Sequence, residues 1–525
     1  MKTLLTVVPL LAAVVTGAAA APAIAQAANP IPYTLSFVPV PLADGTAMHS
    51  YCVADIGPTA LLIVGGRIQG LHQFNPAGNF AGPNTKMWLV NPTTGAATPI
   101  IDLMKLAPQF GDPLMATNQE CEYDGSTGNW YIVGGYGLNH QTSQFQTFPT
   151  ISLINAQQVA QIAADTTLSE DKKSAKIAAL LQTPANQITN AAMKVTGGAL
   201  SHMASGLEFL SFGQIFDGNY NPFAGGFTQT YTNAVLPFTI TLNPFAIHPL
   251  APITTTQAGS PYNRRDFASA YDVDPTTKQE RFAVFGGVFQ PGAIAAYDYP
   301  VYITGSGLNI SVTPDHTVSQ HFGAYEQPVI VVWDGSQVYH TFFGAIGHYF
   351  LNQSPAQAEV YKQVSAQGRN DGLPFIEDIA TLIENSQGQY SEYIAPDPVP
   401  NNKLHGAAVD FIPNTALAAK FQGSGDSVVN LTTFQPGEKE LIGWIYGGID
   451  AEFPLPCAPS HGTHAAAAMY QVYLTYSPWP GLVPASKATE AVGYYQHQDN
   501  ANPKPDKKPV GSAPGPCETQ REEHK

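Results

Sequence analysis

The sequence predicts an all-β repeat protein, and three observations predict it. Charged residues make up only 12% of the 525, while Gly (47) and Pro (44) are abundant. That balance suits many short strands joined by turns. An apolar run ending in a glycine pair recurs, as in "LLIVGGR", "WYIVGGYG", "FAVFGGV" and "GWIYGGID". Each run follows a shorter strand-like stretch and a polar turn, as in "ECEYDGSTGNWYIVGG".

Six such units can be read. They begin near "HSYCVADIGPT", "TNQECEYDGST", "TGGALSHMASG", "RRDFASAYDVD", "YEQPVIVVWDG" and "LHGAAVDFIPN". The third unit replaces one glycine of its pair, and the fifth carries Gly344-Ala345. A third strand follows in several units, at 87–90, 234–242 and 295–303. Glycines at the end of the second strand permit positive φ and close approach of neighbouring backbone. This is the blade pattern of a kelch-type β-propeller, and the reading is six four-stranded blades, with seven open because 347–404 is long. The last unit supplies a third strand at 464–476 but no fourth. The stretch 33–42, "YTLSFVPVPL", is therefore expected to become its outer strand and close the ring without an open edge.

Residues 155–192 and 354–386 read as helical insertions. In the first, Ser169 is the expected N-cap of "EDKKSAKIAALL"; the second includes "FIEDIATLIEN". From 478 the chain reads as a proline- and charge-rich, largely disordered tail. Residues 1–27 have a positive n-region (Lys2), an apolar h-region and the small-residue site Ala25-Gln26-Ala27, the pattern of a bacterial secretory signal peptide. The propeller would span 28–477, in a protein that is secreted or periplasmic and monomeric, without an integral membrane span. The net charge of -16 and the lack of a basic stripe argue against nucleic acid as a partner.

Several stretches resemble a group of secreted bacterial kelch-repeat proteins related in fold to the central domain of galactose oxidase. They are "GGRIQGLHQF", "LSFGQIFDGNY", "YNRRDF", "FAVFGGVFQ", "HTFFGAIGHY" and "GWIYGGID". The resemblance runs from about residue 49 to 476. It implies fold and export; the group has no established activity, so it leaves function open. Ala345 departs from the glycine usual at that position.

The start of a blade's first strand and the end of its second lie on one face. Residues beside them should gather at one channel mouth: His49, Asn118, Arg264, Arg265, Tyr325, Glu326 and His405 from the first set, Arg67, Tyr136, Gln214, Gln290 and Asp450 from the second. The three arginines suit carboxylate or sugar-acid recognition, or can instead hold the blades together. No metal or cofactor is implied: His49 and His405 lack a neighbouring carboxylate pair, and His461 and His464 sit in a loop. Asp55, Asp124, Asp272 and Asp334 read as turn residues between strands one and two. A copper-radical oxidase is rejected, because Tyr51 and Cys52 are adjacent in a strand and point to opposite faces. Two disulfides are expected, Cys52–Cys121 between equivalent positions of adjacent inner strands and Cys457–Cys517 pinning the tail. The expected function is a binding module for a protein, peptide or glycan. The alternative is a mutarotase- or isomerase-like enzyme on a small carbohydrate, with Glu326 and His405 as its acid/base pair.

Overall fold

A computed structural model describes residues 29–71, 82–203, 205–220, 226–256, 259–291, 295–323, 325–347, 349–351, 373–424, 427–452 and 463–490. Of the ten sheets among the described residues, six share one antiparallel four-strand order, and the other four are small sheets of two or three strands. In the first the order is Cys52–Gly57, Ala60–Val64, Lys86–Val90, Ala97–Asp102. The innermost strands of the next five are Glu120–Asp124, Ala199–His202, Ala268–Val273, Val329–Trp333 and Phe411–Pro413. The second strands, such as "ALLIV", "WYIV" and "VYHTFF", are nearly continuous buried apolar runs. A strand covered on both faces needs such a run, whereas a half-exposed one alternates.

What covers them is the neighbouring sheet. Separate hydrophobic clusters join sheets one and two, two and three, three and four, four and five, five and six, and six and one. The arrangement is β-propeller-like. The sixth sheet takes its outer strand from the start of the described chain: Thr34–Pro41 runs antiparallel to Ala468–Thr475, with Thr34 opposite Thr475 and Pro41 opposite Ala468.

Two backbone features recur in every sheet. After each second strand, two consecutive residues have positive φ: Gly65-Gly66, Gly134-Gly135, Phe212-Gly213, Gly286-Gly287, Gly344-Ala345 and Gly447-Gly448. Gly66 shows why: a Cβ there would stand 2.4 Å from the His49 carbonyl oxygen. The second residue of the pair then donates its N–H to the next sheet, Gly66 to Ala116 O, Gly135 to Val195 O, Gly213 to Arg264 O, Ala345 to His405 O and Gly448 to Met48 O. The second feature is a closed cycle of backbone hydrogen bonds just before the inner strands. Asn118 N–H reaches Ser50 O (3.1 Å), Gly197 reaches Asn118 (3.2 Å) and Asp266 reaches Gly197 (2.8 Å). Glu326 reaches Asp266 (3.0 Å), Ala408 reaches Glu326 (3.0 Å) and Ser50 reaches Ala408 (2.8 Å). All six residues have positive φ.

Cys52 and Cys121 form a disulfide, their Cα atoms 5.9 Å apart. It links the innermost strands of sheets one and two. Cys457, Cys517 and the expected signal peptide lie outside the described residues.

Several expectations need correction. "FIEDIATLIEN" is not helical: Ile379–Glu384 is the buried third strand of sheet five. A short apolar run has no period that separates a helix from a strand, and burial on both faces decides for the strand. The first insertion does contain helices, Ala156–Ala164 and Glu170–Leu181, the latter with Ser169 at its N-cap, but it also contains Gln187–Thr189, the outer strand of sheet two. Residues 478–490 are not a loose tail. Trp479 is buried and donates its backbone N–H to Ile31 O, and Val483–Pro484 pairs with Tyr393 and Ile394. The third strand of sheet six begins at Ala468, and His464 belongs to Thr463–Ala465, which pairs with Ile449–Ala451.

Asp272 is not a turn residue. Asp274 takes that role, accepting the N–H groups of Thr276 and Thr277. Asp272 lies fully buried between sheets four and five, bound to Arg281 Nε (2.7 Å) and Nη2 (3.0 Å) and to His340 Nε2 (2.7 Å). Arg281 also pairs with Glu384 and stacks 3.7 Å from the Tyr302 ring centroid.

Two predictions follow from this architecture. Deleting residues 29–42 exposes the edge of Ala468–Thr475, and should lower the melting temperature of the whole domain in one transition by about 10 °C or more; scanning calorimetry checks it, and an unchanged midpoint would refute closure by this strand. Arg281→Met leaves Asp272 and Glu384 buried without their cation. It should cost about 3–5 kcal/mol in urea unfolding, far more than a surface arginine.

Candidate functional site

Strand alternation decides which side chains reach the channel mouth. The residue just before each member of the hydrogen-bonded cycle pairs with the first residue after each positive-φ pair: His49 with Arg67, Thr117 with Tyr136, Thr196 with Gln214, Arg265 with Val288, Tyr325 with Ile346 and Ala407 with Ile449. The first three pairs, Arg265 and Tyr325 line a concave cavity of ≈ 320 Å³. Ser50, Asn118, Asp266, Glu326 and Ala408 of the cycle line it too. One wall is aromatic. The hairpin Gln214–Gly218 and Phe227–Tyr231 brings Phe216, Tyr220, Phe227 and Gln229 to the cavity, and Phe289 faces it from sheet four. Phe216 stacks on Phe227 at 4.6 Å and meets Tyr136 edge-on at 5.2 Å. A second cavity of ≈ 670 Å³ shares Arg67, Thr117 and Tyr136 and continues past His140 and Phe145.

The predicted residues therefore divide. His49, Arg67, Asn118, Tyr136, Gln214, Arg265, Tyr325 and Glu326 come together around the cavity. Arg264, His405 and Asp450 do not. Arg264 is one residue out of phase and lies fully buried in the seam between sheets. It donates to the carbonyls of Pro261, Gly286 and Tyr299 and packs against the rings of Tyr297 (4.1 Å) and Tyr299 (4.7 Å). Asp450 is the second residue after its glycine pair, not the first. It binds His405 Nδ1 at 2.5 Å, and the His405 ring is buried against Tyr470 and Phe343. Gln290, third after its pair, bonds to Ala296 O. Sequence reading missed Asp266, the aromatic wall, Thr117 and Thr196. Asp266 stands directly after Arg264-Arg265 at a cycle position and was legible there. The wall comes from a hairpin inserted between strands two and three, which the repeat does not announce.

The electrostatics are set by burial. Asp266 pairs with Arg265 and accepts from the Tyr325 hydroxyl (3.1 Å) and Asn118 Nδ2 (3.1 Å). Burial, and then the Arg67 charge, push the His49 pKa down to about 3, so the ring is neutral and bonds to Gln69 O (2.7 Å) and Ser50 Oγ (2.9 Å). Burial lowers the Arg67 pKa to about 9, opposed by the nearby Tyr220, Tyr136 and Tyr325. Glu326 is the reverse case. Burial, then the charges of Asp266 and Asp410, hold its carboxyl well above the usual range, and among the described residues its Oε2 accepts no hydrogen bond.

No family model and no curated protein matches the sequence. Solved structures that resemble it include a fungal alcohol oxidase of the AA5 family in complex with copper, at 12% identity and TM-score 0.37, covering 84% of this chain and 76% of that one. A RAG complex with one melted and one unmelted RSS matches at 11% and 0.35, covering 84% and 99%. An α-L-arabinofuranosidase from Fusarium graminearum, bound to an iminosugar inhibitor, matches at 10% and 0.34, covering 86% and 98%. Likenesses this distant assign no activity to this chain.

The raised Glu326 pKa makes a stability prediction. Its unfolded value is about 4.5 and its folded value lies above that, so the stability it contributes is complete below about pH 4.5 and is lost as pH rises toward the folded pKa. Glu326→Gln removes that loss. The variant's melting temperature should match the wild type at pH 4 and exceed it at pH 8; an equal gap at both pH values would contradict the assignment.

Proposed function

We propose that this protein is an exported, kelch-type β-propeller of six blades whose channel-mouth cavity binds a carboxylate-bearing sugar, free or as the end of a longer glycan. One observation carries the reading. The cavity lining holds two guanidinium groups, Arg67 and Arg265, against Asp266 and a Glu326 whose carboxyl burial holds well above the usual range. A small anion is the ligand that such a lining favours, and guanidinium groups bind carboxylates through paired donors. The ring faces of Phe216, Tyr220 and Phe227 suit the apolar face of a pyranose, while Gln214, Gln229 and Asn118 offer donors and acceptors for hydroxyls. The adjoining cavity past Tyr136 gives a longer chain somewhere to run. A concave cavity suits a small molecule or chain end better than a flat protein partner. Export is supported by the Cys52–Cys121 bridge, which persists in oxidising compartments. Among the described residues no helix is long and apolar enough to cross a membrane.

The enzyme reading keeps one supporting observation, Glu326 in the cavity lining with a carboxyl that burial holds well above the usual range, as a general acid requires. Its expected partner is displaced: His405 is bound to Asp450 outside the cavity lining. Exchange of sugar anomers followed by NMR would show catalysis directly.

Calorimetric titration tests the binding reading. Hexuronic acids should bind, and the matching neutral hexoses should bind at least about tenfold more weakly. Arg67→Ala should weaken uronate binding by about 10- to 100-fold, the worth of one charge-assisted contact. Equal affinity for acid and neutral sugars, or no effect of the substitution, would sink it.

A further inference from the structure

A second cluster of ligating side chains lies away from this cavity, toward the opposite end of the channel. Glu122 is on the inner strand of sheet two. His202 ends the inner strand of sheet three, and Glu208 begins the strand that follows it. One oxygen of each glutamate and one ring nitrogen of His202 all lie within 4.8 Å of one another. Glu122 lines the channel cavity below the hydrogen-bonded cycle, and His202 lines the cavity at the far mouth.

An ion pair explains only part of this arrangement. His202 Nδ1 contacts Glu122 Oε1, and that pair alone would be ordinary. Glu208 is the residue it leaves unexplained: a second carboxylate brought against the first, with no hydrogen bond or ion pair to a described residue. Glu122 Oε2 is likewise buried with no partner. The cluster holds two carboxylates against one imidazole. Tyr271, on the inner strand of sheet four, fixes the group from behind. Its hydroxyl donates to Glu122 Oε1 (2.9 Å) and accepts the His202 backbone N–H (2.8 Å). Metal ligands are commonly held by such a supporting hydrogen bond.

We propose that Glu122, His202 and Glu208 bind a first-row divalent cation that ties sheets two and three together at the far mouth of the channel. One nitrogen and two carboxylate oxygens form a set that suits zinc or manganese better than the all-oxygen set calcium and magnesium prefer. Two carboxylates balance the charge of a divalent ion when the imidazole is neutral. The His202 side chain is 29% exposed, which leaves a way in from the far mouth. The role is structural, and it is independent of the sugar-acid reading, which uses other residues at the other end.

The test uses the full chain, stripped with a chelator and dialysed. Zinc is the probe for affinity and cobalt(II) the probe for ligation. One equivalent of zinc should bind by titration calorimetry and raise the melting temperature. Cobalt should give visible d–d absorption that zinc abolishes. Glu208→Gln should weaken zinc binding at least about tenfold, and His202→Gln should abolish the cobalt spectrum. Because no described residue hydrogen-bonds the Glu208 side chain, Glu208→Gln should not lower the metal-free melting temperature, which separates lost ligation from lost folding. No zinc uptake by the wild type, or uptake that both substitutions leave unchanged, would overturn the site.

Discussion

Everything at the channel mouth depends on one closed cycle of six backbone hydrogen bonds. Each sheet contributes one residue, whose N–H points to the residue of the preceding sheet and whose carbonyl accepts from the following one. A strand entering its sheet from outside cannot present both groups sideways in an extended conformation. It has to turn through the left-handed region first. Five of the six residues do so without being glycine: Ser50, Asn118, Asp266, Glu326 and Ala408. Each costs of the order of 1 kcal/mol. The cost is offset because the cycle leaves no buried backbone group of these residues open, and a buried unmet group costs as much or more. The cycle also holds all six inner strands at one height.

Equal height turns strand alternation into a rule for the whole mouth. One position before the cycle residue, the side chains of five sheets reach the cavity, while Ala407 of the sixth joins an apolar cluster; two before, Met48 and Val195 enter clusters between sheets and Arg264 is fully buried. Arg265 and Arg264 are neighbours in sequence and fall on the two sides of that rule. The positions after the glycine pairs add an asymmetry. Sheets one to three place Arg67, Tyr136 and Gln214 there, while sheets four to six place Val288, Ile346 and Ile449. These last three join Leu373, Phe375 and Leu404 in an apolar cluster. The mouth is therefore filled with hydrocarbon on one side and open and polar on the other.

Much of this was legible in the sequence. The glycine pairs located every second strand, since only a left-handed step explains them so regularly, and even Phe212 and Ala345, which break the pair, keep the positive φ. The outer strand at 34–41 and the Cys52–Cys121 bridge followed from the same counting. The site errors at Asp450 and Arg264 are errors of parity: each was chosen by nearness to the motif, while a one-residue offset sends a strand side chain to the other face. His405 lies two residues ahead of the equivalent position, Ala407, across an irregularity in the pairing. The strand Ile379–Glu384 was misread because a short buried run carries no period. Contacts between sheets were beyond reach for a different reason. Arg281, Asp272, His340 and Glu384 come from four strands, and nothing local in any of them signals the others.

The channel is segregated by charge, and the cycle marks the boundary. Guanidinium groups lie on the mouth side, while Glu120, Glu122 and Asp410 line the cavity beyond it. Burial pushes Glu120 up to about 8 and Asp410 up to about 6, so these carboxyls resist ionisation where water is scarce. Glu326 lines both cavities. Were it ionised, it would set a negative charge in the same lining as Arg67 and Arg265. With its carboxyl held well above the usual range by burial, Glu326 opposes the arginines less than an ordinary glutamate would. In a protein with a net charge of -16, the cycle thus divides two cavities of different lining, with guanidinium groups on the mouth side and carboxyls beyond it.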